Sequence, residues 1–344
     1  MSRSLPIVAL LFVFVGCSGP PAAPENPDFV LPETGSVQPW TNDSFDAGED
    51  KYTFAVHSDL TGGEREGIYE VAIAQLSLLR PEFIINVGDL IEGGTEDVAN
   101  INAQWDSFDE RARRAKAPLF YVGGNHDRTG QAMQDVWQDR LGPGYYHFRY
   151  KDTLFLVLDT EDNTAARMKE INDMRNYALP FAKAGEWEKF RATPYATMPE
   201  NRGGNITEAQ SQYMIDAINS NDDVRHTFLF MHKAPWLRED LSTFTAIEDA
   251  LSDRPYTVFH GHVHAYQHQE RRGRDYIRLA TTGGVQLPEN GRSMDHVTLV
   301  TVDDEGVDIA NLLMNGILDK TGKIPLNGEE LCFELETCSS PLAE

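Results

Sequence analysis

From Tyr52 onward, short apolar runs alternate with stretches whose apolar residues recur at helical spacing. "YTFAVHSD" (52–59) predicts a strand and "GIYEVAIAQLSLLR" (67–80) a helix. "PEFIINVGD" (81–89) predicts the next strand, "INAQWDSFDERARRAKA" (101–117) a helix, and "PLFYVGGNHD" (118–127) a third strand. "DTLFLVLDT", "HTFLFMHKAPW" and "YTVFHGHVH" continue the series. Between them "TEAQSQYMIDAIN" predicts a helix, with Thr207 and Gln210 in a capping-box pattern. Such alternation argues an α/β fold with largely parallel central strands.

The last third changes character. "DYIRLATTGG", "DHVTLVTVDDEG" and "VDIANLLMN" read as consecutive strands joined by turns, which predicts a second sheet packed on the first. Between Glu161 and Asn205 lies a polar excursion, predicted partly helical and set beside the site.

The chain opens on "MSRSLPIVALLFVFVGCSGP". Arg3 is the positive flank, Leu5 to Val15 the apolar stretch, and the run is short for a bilayer span. One reading is an ordinary export signal with an incidental cysteine. The preferred one rests on "FVGC", which resembles a bacterial lipobox and would make Cys17 a lipidated first residue, anchoring the protein to a membrane. Ser18 rather than an acidic residue follows it, pointing to the outer membrane or periplasmic face of a bacterial envelope. Residues 1–16 are then the signal, and 17–39, rich in Pro and Gly, a flexible tether. Residues 40–344 form the domain. In an exported chain, Cys332 and Cys338 of "LCFELETCSS" read as a small-loop disulfide.

A formal net charge of −24 excludes a general nucleic-acid-binding surface. It does not exclude phosphoester chemistry, because bound cations invert the local field at a site. Coordinating residues recur where predicted strands end: Asp59, Asp89, Asn125, His232, and the pair His262 and His264. That edge is where open α/β sheets carry their sites. A solvated aspartate or a packed histidine is the commoner fate of each residue alone, but not of six at one edge.

The ordered set "SDLTGG", "VGDLIEG", "GGNHD", "MHKAPW" and "GHVHAY" resembles the calcineurin-like metallophosphoesterase superfamily over about residues 53–266. "GHVHAY" is also similar to its purple acid phosphatase branch. The resemblance implies a four-layer αββα sandwich of two mixed sheets. At the strand ends it implies two divalent or mixed-valence transition-metal ions, for which Mn, Fe and Zn all suit carboxylate, amide and imidazole donors. The implied activity is hydrolysis of a phosphomonoester or phosphodiester by a metal-bridging hydroxide.

By the same resemblance Asp89 is the bridging ligand. Asn125, His232 and His262 complete one metal's shell, and Asp59 and His264 belong to the other. His126 is then general acid or electrostatic stabiliser, and Asp127 orients its imidazole. Arg128 and Thr61 are candidate phosphate contacts. One departure from the family pattern stands out. Thr61 occupies the place of a usual histidine ligand, leaving the first metal one donor short. Three repairs suggest themselves: Glu92, where purple acid phosphatases carry a tyrosine ligand, Thr61 itself, and His57 on the same strand face. Glu92 is the preferred one. The alternative function is a catalytically weak metal-binding member of the same fold.

Overall fold

The computed structural model describes residues 50–338. The signal stretch, Cys17 and the whole of the tether fall outside the described residues. The strands are β1 (Tyr52–His57), β2 (Ile84–Asn86), β3 (Leu119–Phe120), β4 (Tyr146–Tyr150), β5 (Thr153–Val157), β6 (His226–Phe230), β7 (Tyr256–His260), β8 (Gln267–Arg271), β9 (Arg274–Arg278), β10 (His296–Asp303) and β11 (Gly306–Leu313). They form one sheet in the order β11-β10-β1-β2-β3 and another in the order β4-β5-β6-β7-β9-β8. Both sheets are mixed. β1, β2 and β3 run parallel while β10 is antiparallel to β1. β5, β6, β7 and β9 run parallel while β4 and β8 pair antiparallel at the two edges.

The helices are α1 (Ile68–Leu79), α2 (Val98–Ala112), α3 (Asn125–Arg128), α4 (Gln131–Leu141), α5 (Ala165–Lys183), α6 (Trp187–Arg191), α7 (Pro194–Thr197), α8 (Pro199–Gly203), α9 (Glu208–Asn219), α10 (Ser242–Ala250) and α11 (Leu335–Cys338). Side-chain alternation along the strands decides the layers. Phe54, Val56, Ile85 and Val87 meet Phe155, Val157, Phe228 and Phe230 between the sheets. Ala55 and Ile84 face the other way, onto Tyr69, Trp105, Phe108 and Trp137 of α1, α2 and α4. Leu154, Leu156 and Leu229 pack outward on Met214, Ile218, Phe244 and Ile247 of α9 and α10. The result is an α/β/β/α stack, the four-layer arrangement implied by the motifs. Among the described residues no helix is long and apolar enough to cross a membrane.

Three local readings change. The C-terminal strands do not make a sheet of their own: β9 extends the sheet of β5–β7, while the β10–β11 hairpin extends that of β1. Period-2 patterning reveals strands but not partners, because partners lie far apart in sequence. The third strand is only two residues long, and Asn125 opens α3 instead of ending a strand. The capping box at α9 is only half closed. Thr207 Oγ1 accepts from the Gln210 N–H, but the Gln210 side chain turns to Asp159 and Asp162. The Asp162 carboxylate takes the Thr207 N–H in its place, at 3.1 Å.

Helices α5 to α8 occupy the 161–205 excursion. At the other end of the chain, Cys332 and Cys338 are joined by a disulfide with Cα atoms 6.0 Å apart. Arg65 ties that region to the sheet: its guanidinium pairs with the buried Asp295 carboxylate and donates to the Cys332 carbonyl oxygen.

Candidate metal centre

Parallel strands deliver their carboxyl ends to one edge. Asp59 lies two residues past β1, Asp89 three past β2, His232 two past β6, and His262 and His264 just past β7. The chain must bend sharply there, and it does so on the candidate ligands themselves. Asp59 (φ 32°), Asp89 (59°), His262 (75°) and His264 (57°) all adopt positive φ, a conformation non-glycine residues visit rarely. Strain of this kind persists only where surrounding bonds over-determine it, and it concentrates at functional sites.

Those surrounding bonds are present. The Asp89 carbonyl oxygen accepts the N–H groups of Leu60 and Thr61. The Asp59 carboxylate accepts the His262 N–H, and its Oδ2 also takes the Ser58 hydroxyl. Two glycines admit the close approach. A Cβ on Gly124 would fall 2.2 Å from Asp89 Oδ1, and one on Gly261 2.3 Å from Asp59 Oδ2. The glycine of "GNHD" and that of "GHVH" are therefore steric requirements of the site.

Donor atoms of Asp89, His232 and His262 lie within 4.8 Å of one another, as do those of Asp59, Asp89 and His264. Asp89 is common to both groups. His232 Nδ1 bonds the Val87 carbonyl oxygen at 2.8 Å, leaving Nε2 toward Asp89 Oδ2 at 3.1 Å. His264 Nδ1 bonds the Val285 carbonyl oxygen at 2.6 Å, leaving Nε2 3.3 Å from Asp59 Oδ1. His262 Nε2 bonds the Asn201 carbonyl oxygen at 2.7 Å, which leaves Nδ1 available. Each imidazole is thus oriented by a backbone carbonyl, the usual arrangement behind a metal ligand.

Two buried atoms test whether cations fit. Asn125 Oδ1 has no hydrogen-bond partner, although buried polar atoms nearly always find one, and His232 Nε2 meets the Asp89 carboxylate at 3.1 Å. Carboxylate, amide and imidazole donors gathered in this way suit a pair of first-row divalent ions. The residues fit the group.

His126 joins this cluster through its backbone N–H, which donates to Asp89 Oδ1 at 2.8 Å. Its Nδ1 bonds the Glu92 carbonyl oxygen at 2.8 Å. Asp127 does not orient that ring. Its Oδ2 accepts the N–H groups of Asp89 and Gly124, and its Oδ1 those of Leu90 and Ile91. Asp127 is a clamp on the Asp89 loop, because α3 begins at Asn125 and turns the third residue back under the loop.

Glu92 is not among the clustered donors. Its carboxylate is half exposed, accepts from the N–H groups of Gly63 and Glu64 at 2.9 Å each, and stands 3.7 Å from His126 Nδ1. Thr61 faces inward, its hydroxyl donating to the Ile91 carbonyl oxygen at 2.9 Å, so it neither reaches a ligand position nor meets phosphate. His57 is buried against Tyr69, ring centroids 5.5 Å apart, on the helix side of β1. The Asp59 side thus has no substitute for the missing histidine among these three. Arg128 also turns away, pairing with Asp159 at 2.8 Å over the Trp137 ring. Lys233 is buried and pairs with Glu161 at 2.6 Å.

The electrostatics follow the pairing. Burial pulls the His232 pKa down, but the Asp89 carboxylate reverses this and lifts it to about 9. Burial raises the Asp89 carboxyl, yet the neighbouring His232 and His126 hold it well below the usual range. Burial, joined by the Asp89 charge, pushes Asp127 up to about 7 against its backbone donors. A cleft that needs imidazolium to balance its carboxylates offers a cation the same compensation.

Sequence reasoning missed the carbonyls of Val87, Asn201 and Val285 that orient the imidazoles. One signal was available: the Gly283–Gly284 pair inside a strand-like run marks close backbone approach. A Cβ on Gly284 would lie 2.5 Å from the Thr61 carbonyl oxygen and 2.9 Å from His264 Cε1.

Comparison with known proteins agrees with this geometry. The family model for calcineurin-like phosphoesterases matches residues 52–287. Among solved structures, a dimetal phosphatase from Danio rerio is 13% identical, covers 76% of this chain and 98% of its own, and has a TM-score of 0.50. GAP50, the anchor in the inner membrane complex of Plasmodium, is 14% identical over 80% of this chain and 87% of its own, with a TM-score of 0.47. A purple acid phosphatase from yellow lupin (Lupinus luteus) seeds is 13% identical over 86% of this chain and 57% of its own, with a TM-score of 0.48. No curated protein matches the chain significantly. At 13% identity the likeness to the dimetal phosphatase speaks for the fold alone. The family match spans more than half of the chain, and the chain belongs to the calcineurin-like phosphoesterases.

Proposed function

We propose that this protein hydrolyses a phosphate ester at a two-cation site. Asp89 is shared between the cations. Asn125, His232 and His262 complete one set, and Asp59 and His264 the other. The observation that carries the reading is the shared carboxylate: two donor groups meet at Asp89, and the His126 N–H is bonded to the same side chain. Bound cations supply a water of lowered pKa as nucleophile and neutralise charge on the phosphoryl oxygens.

The protein's own part is orientation. Val87, Asn201 and Val285 hold the three imidazoles through their carbonyls. The Glu92 carbonyl holds His126 Nδ1, so Nε2 is the nitrogen offered to the reacting group. It faces Gly62, whose Cβ position is 3.6 Å from it and 3.1 Å from His264 Cε1. There His126 serves the leaving oxygen as an acid in its imidazolium form, because in the neutral ring the one proton sits on Nδ1 against the Glu92 carbonyl. Export and lipid anchoring through Cys17 complete the proposal, resting on the apolar leader and "FVGC".

The test is hydrolysis of p-nitrophenyl phosphate and its bis ester by manganese-loaded protein. His126→Ala is expected to lower kcat roughly a hundredfold or more with metal content unchanged, and Asp89→Asn to abolish activity with loss of metal. Full activity in either variant sinks the mechanism. A second reading, a catalytically weak metal binder, is favoured by the thinner donor set around Asp59 and the inward hydroxyl of Thr61. Metal analysis separates the two: two equivalents for the enzyme, one for the binder.

A further inference from the structure

A cavity of about 300 Å³ lies between α2 and the loops that follow β1 and β2. Leu90 and Ile91, the buried residues just after the shared ligand Asp89, form its floor, and Ala103 and Arg111 line it from α2. Glu64 and Glu92 are exposed at its rim. Arg111 is already matched: it pairs with Glu64, stands 3.7 Å from Glu70 and lies over the Tyr69 ring. Glu92 is not. Its carboxylate is 45% exposed, and among the described residues no lysine or arginine pairs with it.

Glu92 also stands at the edge of the metal centre. Its carboxylate is 3.7 Å from His126 Nδ1. Its Oε1 accepts the Gly63 N–H at 2.9 Å, and the adjacent Gly62 is the residue that faces His126 Nε2 and His264. Nε2 is the nitrogen offered to the leaving oxygen. An oxygen bonded there lies within about 9 Å of the Glu92 carboxylate, the ring and its two contacts laid end to end. A substituent two or three carbons long spans that interval and brings its far end to the carboxylate. The group that departs from phosphorus therefore leaves beside Glu92 and the cavity that Glu92 rims.

We propose that this cavity receives the leaving group and that Glu92 selects its charge. Favoured substrates are phosphate esters of amino alcohols, whose leaving group carries an ammonium; esters with a second anion there are disfavoured. This rests on the phosphoesterase reading above. A carboxylate with no cation of its own attracts an ammonium and repels another carboxylate at the same place. Two backbone N–H groups hold Oε1, which fixes the charge in position. Exposure to water keeps each effect modest.

The experiment follows phosphate release by the manganese-loaded full chain from three esters of similar size. Phosphoethanolamine carries an ammonium, glycerol 3-phosphate only hydroxyls, and 3-phosphoglycerate a carboxylate. kcat/KM for the first is expected to exceed that for the last roughly tenfold, with the neutral ester between them, each step an exposed charge contact. Added salt should compress the ratio. Glu92→Gln keeps an acceptor for the Gly63 and Glu64 N–H groups. It should bring the ratio close to one with metal content unchanged. Ala103→Phe, at an exposed position of α2, narrows the cavity. It should raise KM for phosphoethanolamine several-fold and leave inhibition by inorganic phosphate, which has no leaving group, as in wild type. Equal kcat/KM for the three esters, an order that persists in Glu92→Gln, or an unchanged KM in Ala103→Phe overturns the proposal. So does turnover of p-nitrophenyl phosphate with none of the three esters hydrolysed. Failure on p-nitrophenyl phosphate as well would instead sink the phosphoesterase reading itself, and this inference with it.

Discussion

The Asp127 carboxylate accepts the backbone N–H of Asp89 at 2.8 Å, so the acid of "GNHD" holds the shared ligand and not its histidine neighbour. With Gly124, Leu90 and Ile91 it closes four backbone donors onto one buried side chain. Asp127→Ala should therefore lower stability by about 2–4 kcal/mol, since several buried N–H groups lose their acceptor. It should weaken metal binding tenfold or more, the range for positioning groups behind ligands. Urea unfolding and metal titration measure both. A variant that loses only kcat, with metal affinity and stability intact, would restore the histidine-orienting role.

Glu92→Gln makes the opposite prediction. The carboxylate braces the Gly63–Glu64 turn and is absent from both donor groups. Metal stoichiometry should stay at the wild-type value, because an amide oxygen still accepts from both N–H groups. Selective loss of one equivalent on elemental analysis would return Glu92 to the ligand set.

Removing metal should destabilise the folded protein. The unpartnered Asn125 Oδ1 and the crowded Asp59 and Asp89 carboxylates gain charge compensation from bound cations. With free manganese at a hundred times its Kd, one site adds about 2.7 kcal/mol. Chelation should lower Tm by several degrees and manganese should restore it. A Tm indifferent to chelation would mean the groups hold no ion in the native state.

His296 sets an acid limit away from the metals. It is buried, and its Nε2 accepts the Ala280 N–H at 3.0 Å, so protonation would set two donors face to face. Burial, with some help from Arg292, lowers its pKa to about 4, and His226 is lowered to about 4 as well, chiefly by burial. Between pH 4 and the unfolded value of about 6.5 the unfolded chain binds more protons, so stability is complete above that window and lost as pH falls through it. For His296 the loss by pH 4 is on the order of 3 kcal/mol. His296→Gln, which keeps an acceptor for Ala280, should flatten the pH dependence of Tm between 4 and 6.5 in metal-free protein. An unchanged slope would remove His296 from the account.

The sequence by itself determined the element types and the chemistry brought to one edge. Short apolar runs mark β1, β5, β6 and β7, and because parallel strands deliver their carboxyl ends together, Asp59, Asp89, His232, His262 and His264 converge. Adjacent glycines betray the tight bends. Tertiary structure alone decided which sheet each C-terminal strand joins, since pairing is a contact between distant segments. It also decided where Asp127, Glu92, Thr61 and Arg128 point. The family resemblance suggested that Asp127 serves His126 and that Glu92 serves a metal, but a side chain a few ångströms long bonds whatever the fold sets before it. For Asp127 that was the backbone of a loop 36–38 residues earlier.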